Sequence, residues 1–230
     1  MLQRSIPMDS NQKPAEGVVK KLYVVRHGET NFNREERSQG PDAELSSLGR
    51  IQTGHLAMRF GATSVDNIIS SDMKRAEETA EAIATITGHT ILYSELFREM
   101  KQPSEVVGKF FVDSLVVEAR NQMRINECVK TWHYSDEENA YDLYARALLA
   151  RRFLEACTET NSVVVSHGIF ISMLFCTLLT ESEIAAMVLY FSFRHRMHLD
   201  NTGITVFEHG MFGGNLCWRM CVWNDHAHLG

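Results

Sequence analysis

Arginine and histidine stand side by side at Arg26-His27, and a second histidine follows much later at His167. Each histidine precedes a glycine, and each follows an apolar run typical of a buried strand, Leu22–Val25 and Val163–Ser166. A neutral imidazole can attack phosphorus, and a guanidinium binds phosphate oxygens in a planar fork. Because ligands of α/β proteins bind at the carboxyl ends of strands, the two segments indicate one shared anion site.

A third segment, Asn67–Asp72, reads as a strand followed by a helix cap at Asp72, and Arg75 falls in the first turn of that helix. Helix N-termini bind anions through free N–H groups and the helix dipole, and an arginine there adds a full positive charge. On composition alone, Lys74 is an alternative to Arg75 as the cation of the site.

These three segments together resemble the histidine phosphatase superfamily, also called the phosphoglycerate mutase-like family. Its hallmarks are Arg-His-Gly near the N-terminus, a Ser-Ser-x-x-x-Arg-Ala segment and a late His-Gly, and all three occur here in that order. The resemblance extends from about Lys21 to Glu208, which is nearly the whole chain.

The resemblance implies a role for each of these residues. His27 is the expected nucleophile, and its other ring nitrogen should donate a hydrogen bond that fixes the tautomer. Arg26 and Arg75 are expected to clamp the negative charge spread over the transferring phosphoryl group. His167 and Gly168 are expected to contact the phosphate and support the transition state.

The first motif continues as Arg-His-Gly-Glu-Thr-x-x-Asn, so Thr30 and Asn33 are predicted to hydrogen-bond phosphate or substrate. Gly49 and Gln52, in the Leu-Ser-x-x-Gly-x-x-Gln stretch that follows, are expected to be structural.

A general acid must protonate the leaving oxygen. The family takes it from a carboxylate that follows the second arginine, and the Phe-Arg-Glu segment ending at Glu99 matches best. Glu95 and Glu105 remain alternatives.

The segment around Glu99 also bears on the reaction type. Mutases that resemble the glycolytic enzyme carry Glu-Arg-His-Tyr-Gly at the acid, where this chain has Glu-Met-Lys-Gln-Pro. This difference favours a metal-independent phosphatase that hydrolyses a phosphomonoester through a phosphohistidine on His27. A phosphoglycerate mutase-type isomerase is the first alternative. A non-catalytic phosphate-binding or scaffold protein is the second, although both arginines and both histidines are retained.

The composition of the 230 residues is that of an ordinary globular protein, with 44% hydrophobic and 23% charged residues. The net charge of −6 argues against a nucleic-acid partner. The histidine pairs 195/198 and 226/228 lack a third ligand at zinc-like spacing, so we expect no metal and no cofactor. The five scattered cysteines favour reduced thiols in a cytoplasmic protein.

Alternating strands and helices predict an α/β fold, a three-layer sandwich with a mostly parallel central sheet. Residues 1–20 are expected to form a flexible tail, and residues 21–230 a single domain with a helical insertion at about 104–159. Val163–Ser166 should be the central strand. The apolar stretch 163–179 is interrupted by His-Gly, so strand-then-helix explains it better than a membrane span.

Two helices can be outlined before the insertion. One is capped by Ser46 or Ser47 and runs to Phe60 with one apolar face, and the next has a buried seam at 3.6-residue spacing. The predicted face consists of Leu48, Ile51 and Met58, and the seam of Met73, Ala76, Ala80, Ile83 and Thr87.

A small phosphorylated substrate is the expected partner, and a homodimer is left open. In the insertion, Arg120, Arg124 and Lys101 either recognise an acidic substrate or only solvate a helix.

Overall fold

The computed structural model describes residues 19–230 and contains one six-stranded sheet. The strands are β1 (Lys20–Arg26), β2 (Asn67–Ser70), β3 (Ile91–Tyr93), β4 (Asn161–Ser166), β5 (Ile204–Phe212) and β6 (Asn215–Asp225). Their order is β3-β2-β4-β1-β5-β6. The first four strands in this order are parallel, while β5 is antiparallel to both of its neighbours. The predicted mixed α/β fold is confirmed, and β4 is an interior strand as expected.

Seven α-helices accompany the sheet in the described part of the chain. They are α1 (Asn31–Arg34), α2 (Ser47–Gly61), α3 (Lys74–Thr87), α4 (Ser114–Ile125), α5 (Ala140–Ala156), α6 (Gly168–Leu179) and α7 (Glu183–Phe193).

The alternation of side chains along the strands produces two hydrophobic cores, one on each face of the sheet. On one face, Val24 and Val164 pack with residues of α5 and α6. On the other face, Val25 and Val165 pack with residues of α2 and α3. The interior strands are therefore apolar on both sides, as expected for parallel strands covered by two helical layers.

Helix α2 begins where the sequence predicts, because the Ser46 hydroxyl accepts a hydrogen bond of 2.9 Å from the Gly49 N–H. The prediction of its apolar face is wrong, since Leu48, Ile51 and Met58 are 49%, 58% and 62% exposed. The helix instead buries a face of smaller residues with two large ones, namely Gly49, Thr53, Leu56, Ala57 and Phe60. Packing against the sheet selected the face that allows the closest approach of the backbone.

Gly49 shows how close that approach is. A Cβ atom at Gly49 would lie 2.0 Å from the Glu29 carbonyl oxygen, in the loop that follows His27. Ser46 and Gln52 tie the same loop down, because the Glu29 N–H donates to Gln52 Oε1 and the Ser46 N–H donates to the Glu29 carbonyl. Gly49 and Gln52 are thus structural, as predicted.

We expect Gly49→Ala to lower the free energy of unfolding by about 1–3 kcal/mol, because the methyl group has no space and the contacted atom is backbone. Gly54→Ala is the matched control on the same helix. A Cβ there meets nothing within 4 Å, so better helix propensity should stabilise the protein by about 0.5–1 kcal/mol. Urea denaturation measures the free energy of unfolding of both variants. Equal changes in this free energy would contradict the close contact at Gly49.

Helix α3 has most of the predicted buried seam, since Met73, Ala76, Ala80 and Ile83 are at most 9% exposed, whereas Thr87 is only half-buried. The predicted cap is wrong. Met73 occupies the N-cap position without a side-chain hydrogen bond. The Asp72 carboxylate instead accepts a hydrogen bond of 2.6 Å from Arg98 Nε, a contact between distant segments.

The stretch 104–159 is helical, but its two helices differ in their packing. Helix α5 belongs to the main core, where Leu143, Ala147 and Leu154 are buried against the sheet layer. Helix α4 packs in a separate small cluster through Val116 and Ala119. Helix α5 is therefore part of the main core, whereas α4 is not.

The last two strands form a tight hairpin. Strands β5 and β6 are joined by Gly213 and Gly214, which both have positive φ (59° and 84°), as two-residue hairpin turns require. The tail predicted for residues 1–20 lies outside the described residues except at its end, where Lys20 already begins β1. Within residues 19–230, no helix has the length and apolar character that a bilayer crossing requires.

Candidate active site

Three neighbouring parallel strands end at one place. Arg26 is the last residue of β1, Ser71 directly follows β2, and His167 directly follows β4. Backbone hydrogen bonds hold these ends in register, with the His27 N–H donating to Ser166 O and the Ser71 N–H donating to Val165 O, both at 3.0 Å. The predicted residues from distant parts of the chain are therefore brought together at the carboxyl edge of the sheet.

His27 is held in one tautomer from both sides. Its side chain is only 3% exposed, and Nδ1 lies 2.7 Å from the Gly28 carbonyl oxygen, which can only accept a hydrogen bond. Nε2 lies 3.2 Å from Arg75 Nε, which can only donate. The proton must therefore reside on Nδ1, and the lone pair of Nε2 points toward the arginine.

Burial lowers the pKa of His27 well below its ordinary value of 6.5, and the nearby cations Arg75 and Arg26 lower it further. The hydrogen bond to Gly28 acts in the opposite direction. The pKa of His167 is also lowered well below 6.5, first by burial and then by Arg75. Both rings are therefore neutral at neutral pH, which leaves an imidazole lone pair available for attack.

These lowered pKa values link stability to pH. The unfolded chain protonates His27 near pH 6.5, whereas the folded protein does not, so stability is lost as the pH falls below about 6.5. We expect His27→Gln to reduce the slope of unfolding free energy against pH by up to about 1.4 kcal/mol per pH unit between about pH 6.5 and 5. Urea titrations in phosphate-free buffer measure both slopes, and identical slopes would contradict a neutral buried His27.

His167 is completely buried, and its ring centroid lies 5.1 Å from that of His27. Its Nε2 is 2.8 Å from the Ser71 hydroxyl, which also accepts a hydrogen bond from the Met73 N–H. The Ser71 proton is thus free to point at Nε2, which leaves Nδ1 as the protonated nitrogen. Nδ1 is buried and has no hydrogen-bond partner among the described residues, so it can donate to a bound anion.

Two arginines complete the inner site, of which Arg75 is buried and Arg26 half-buried. Arg75 is 2% exposed and donates from Nη1 to the Gly40 carbonyl at 2.9 Å. Burial lowers its pKa to about 10, so it remains a cation at neutral pH. Arg26 donates to the Leu199 carbonyl, but its buried Nε has no partner among the described residues. Neither arginine forms an ion pair within residues 19–230. Removing such charges from water costs free energy that a bound anion would offset, so the arrangement is suited to an anion.

Glu99 lines the same cavity as these arginines. Burial lowers the pKa of Arg26 and of Arg75, and the negative charge of Glu99 acts in the opposite direction on both. Its carboxylate accepts backbone hydrogen bonds from Met100 (2.8 Å), Phe170 (2.9 Å) and Ile169 (3.1 Å). The last two are in the first turn of α6, so the carboxylate is fixed at a helix N-terminus.

The two alternative acids lie elsewhere. The Glu95 side chain is 76% exposed and pairs with Arg98. Glu105 is exposed and contacts Ser135. Of the three carboxylates considered, only Glu99 lines the cavity that contains His27.

The remaining predicted residues divide into two groups. Thr30 does not line the cavity, because its hydroxyl accepts from the Asn33 N–H at 3.0 Å and caps α1. The structure thus gives Thr30 a capping role, and its hydrogen bond to phosphate or substrate stays a prediction. Asn33 and Gly168 do line the cavity. Gly168 opens α6, so its N–H is one of the helix-terminal groups without an intrahelical acceptor.

Sequence reasoning missed three residues that position the site. Asn201 donates to the His27 carbonyl at 2.9 Å, and Ser71 orients His167. Arg146, on α5, donates to the carbonyls of Arg98 (2.7 Å) and Glu99 (3.3 Å) and thereby holds the loop that carries Glu99. The Ser-Ser motif contained a signal for Ser71, whereas the other two act through long-range contacts that no local pattern reveals.

The inner site opens into a cavity of about 690 Å³. Its outer walls come from the segment around α4 and from the end of α7, through residues such as Phe111, Arg120, Arg124, Trp132, Tyr190 and Arg194. A phosphate group alone would occupy only a small part of this volume. Within residues 19–230, no cluster of three or more His, Cys, Asp or Glu side chains is arranged to hold a metal ion.

Fold and site together define a mixed α/β protein with a cationic, two-histidine anion site at the carboxyl edge of its parallel strands. The sequence profile of the histidine phosphatase superfamily (branch 1) matches residues 22–225. The chain therefore belongs to the histidine phosphatase superfamily.

Three individual proteins show the range of its relatives. The chain is 35% identical over 165 residues to the probable phosphoglycerate mutase GpmB of Escherichia coli O139:H28, covering 69% of this chain and 74% of the relative. A solved mycobacterial glucosyl-3-phosphoglycerate phosphatase is similar with a TM-score of 0.73 and 26% identity, covering 90% of this chain and 99% of that one. A mutant phosphoserine phosphatase from Entamoeba histolytica, solved with phosphoserine, is similar with a TM-score of 0.72 and 25% identity. The match covers 91% of this chain and 99% of that one.

Proposed function

We propose that this protein is a metal-independent phosphatase that hydrolyses a small phosphomonoester through a phosphohistidine on His27. The observation that carries the proposal is the geometry of His27. Its Nδ1 donates a hydrogen bond to the Gly28 carbonyl, and its unprotonated Nε2 accepts one from Arg75 Nε. A neutral ring with one directed lone pair, beside two unpaired cations, is arranged for attack on a phosphoryl group.

In the first step, Arg26 and Arg75 bind the non-bridging oxygens of the phosphoryl group, and His167 donates from Nδ1. Arg75 Nε exchanges its hydrogen bond with His27 for one with a phosphate oxygen, which frees the Nε2 lone pair. The Nε2–P bond forms as the bond from phosphorus to the leaving oxygen breaks. Glu99, in its protonated form, gives its proton to that oxygen.

In the second step, Glu99 acts as a base toward a water molecule. The water oxygen attacks phosphorus, its proton passes to Glu99, and the N–P bond breaks with its electrons returning to Nε2. Inorganic phosphate leaves, and both His27 and Glu99 regain their starting protonation. No metal or cofactor is needed for either step, because the two guanidiniums carry the charge stabilisation.

A mutase is the second candidate, because the E. coli relative is named as a probable phosphoglycerate mutase. The segment after Glu99, Met-Lys-Gln-Pro, differs from the Arg-His-Tyr-Gly of the glycolytic mutases. The solved phosphatases that resemble this chain along about nine-tenths of its length also support hydrolysis. A reducing compartment such as the cytoplasm is part of the proposal, since all five cysteines are free.

Two assays on the purified protein test the proposal. A library of phosphomonoesters, with p-nitrophenyl phosphate included, is screened for release of inorganic phosphate, which we expect. Incubation with 3-phosphoglycerate and its bisphosphate cofactor is then followed for 2-phosphoglycerate. Isomer formation without phosphate release would establish the mutase instead. Phosphate binding without either reaction would support a scaffold.

A further inference from the structure

The outer part of the cavity carries two arginines whose charge is not matched by the protein. Arg120 and Arg124 lie one turn apart on α4 and line the same cavity as His27. Neither side chain forms a hydrogen bond or an ion pair with any residue in the described range. Both residues are exposed, and because like charges four residues apart slightly destabilise a helix, the pair does not serve the stability of α4.

The other charged groups of the outer wall are already engaged. Arg194 pairs with Glu127, and Arg37 donates to the Gly108 carbonyl at 2.7 Å. Glu137 accepts backbone hydrogen bonds of 2.6 and 2.8 Å from residues 134 and 135. Glu127 is therefore already paired with a cation, whereas the hydrogen bonds of Glu137 come from neutral backbone groups, and neither carboxylate forms an ion pair with Arg120 or Arg124.

Arg120 is also held in place. Its guanidinium carbon lies 3.8 Å from the ring centroid of Phe111, a cation–π contact that orients the group and leaves its N–H donors free. Arg120 as a whole is exposed, and partial burial of its guanidinium lowers its pKa. An oriented, partly desolvated guanidinium gains most from an ionic partner.

We propose that Arg120 and Arg124 bind a second anionic group of the substrate. This inference rests on the proposed function, and it narrows the substrate class to phosphomonoesters whose remaining part ends in a carboxylate or a second phosphate. Arg26 and Arg75 hold the group that is transferred, and the α4 arginines hold the other end. The cavity of about 690 Å³ fits a bifunctional molecule of this kind better than a phosphate alone.

Three substrate series of increasing chain length test the inference. They are ω-hydroxyalkyl phosphates, ω-carboxyalkyl phosphates and α,ω-alkanediol bisphosphates. At one or more chain lengths, we expect kcat/KM for an acidic substrate to exceed that of the hydroxyl analogue by about tenfold or more, the value of one charge-assisted contact. The series that shows the preference identifies the second group as carboxylate or phosphate.

In the double variant Arg120→Gln/Arg124→Gln, the ratio of kcat/KM for the acidic substrate to kcat/KM for the hydroxyl analogue should be close to one. Arg152→Gln is the matched control, because Arg152 is an exposed arginine on α5 that also lacks an ion pair within residues 19–230 and does not line this cavity. Its ratio should equal that of the wild type. Should the double variant not fold, the wild-type ratio is measured against salt, and it should fall as ions screen the α4 arginines.

The possible failures are distinct. A wild-type protein that hydrolyses p-nitrophenyl phosphate but shows no preference for acidic substrates, or a preference that the double variant retains, overturns the inference and leaves the phosphatase intact. Absence of hydrolysis with every substrate, including p-nitrophenyl phosphate, refutes the proposed function and the inference that rests on it.

Discussion

His27→Ala should reduce kcat by roughly 10⁴-fold or more, because the variant has no nucleophile to form the covalent intermediate. The two cations and His167 remain, so binding of inorganic phosphate should persist while turnover is lost. Steady-state hydrolysis of p-nitrophenyl phosphate and calorimetric titration with phosphate measure the two properties separately.

The control for this variant is His55→Ala, which removes an exposed histidine on α2 that does not line the cavity. Its kcat should equal that of the wild-type protein. His27→Ala should also remain folded. The lost packing of the ring destabilises the protein, but removal of a buried polar group offsets part of this loss. A folded His27→Ala variant with wild-type kcat would contradict the assignment of the nucleophile.

The second large effect is expected from Glu99→Gln, and its size should depend on the leaving group. Alkyl phosphates need a proton on the leaving oxygen, so their hydrolysis should slow by about 10²–10⁴-fold. p-Nitrophenyl phosphate, whose leaving group is stable as an anion, should slow far less. The glutamine keeps a carbonyl oxygen for the backbone N–H groups that now bind Glu99, so the side chain should stay in place.

Glu95→Gln is the matched control, because it neutralises a nearby exposed carboxylate that does not line the cavity. Glu95→Gln should leave the rates of hydrolysis of alkyl phosphates and of p-nitrophenyl phosphate unchanged. If Glu99→Gln slows both classes equally, Glu99 binds or positions the substrate, and the proton comes from another group.

The inner site was predictable because its residues belong to short motifs that coincide with strand ends. Arg26-His27, the Ser-Ser-x-x-x-Arg segment and His167-Gly168 each follow a β-branched or apolar run, and parallel strands place those ends together. At Thr30 the motif gives the residue type but not the orientation of the side chain, and the hydroxyl caps α1.

Features set by long-range packing were not predictable. The sequence analysis predicted one apolar face for α2, but the buried face is the one that contains Gly49, which approaches the Glu29 backbone closely. Asp72 is a good capping residue by type, yet its partner is Arg98. The division of the 104–159 stretch into the core helix α5 and the separately packed α4 depends on which helix reaches the sheet.

The central claim is that the reaction passes through a phosphoryl group on His27, and a trapping experiment tests it most directly. The protein is mixed with ³²P-labelled substrate, quenched within milliseconds in base and digested for peptide mapping. We expect label on the peptide containing His27, stable in base and lost in acid, as a phosphoramidate should be. Label on another residue, or burst-free turnover with no labelled protein at any quench time, would contradict it.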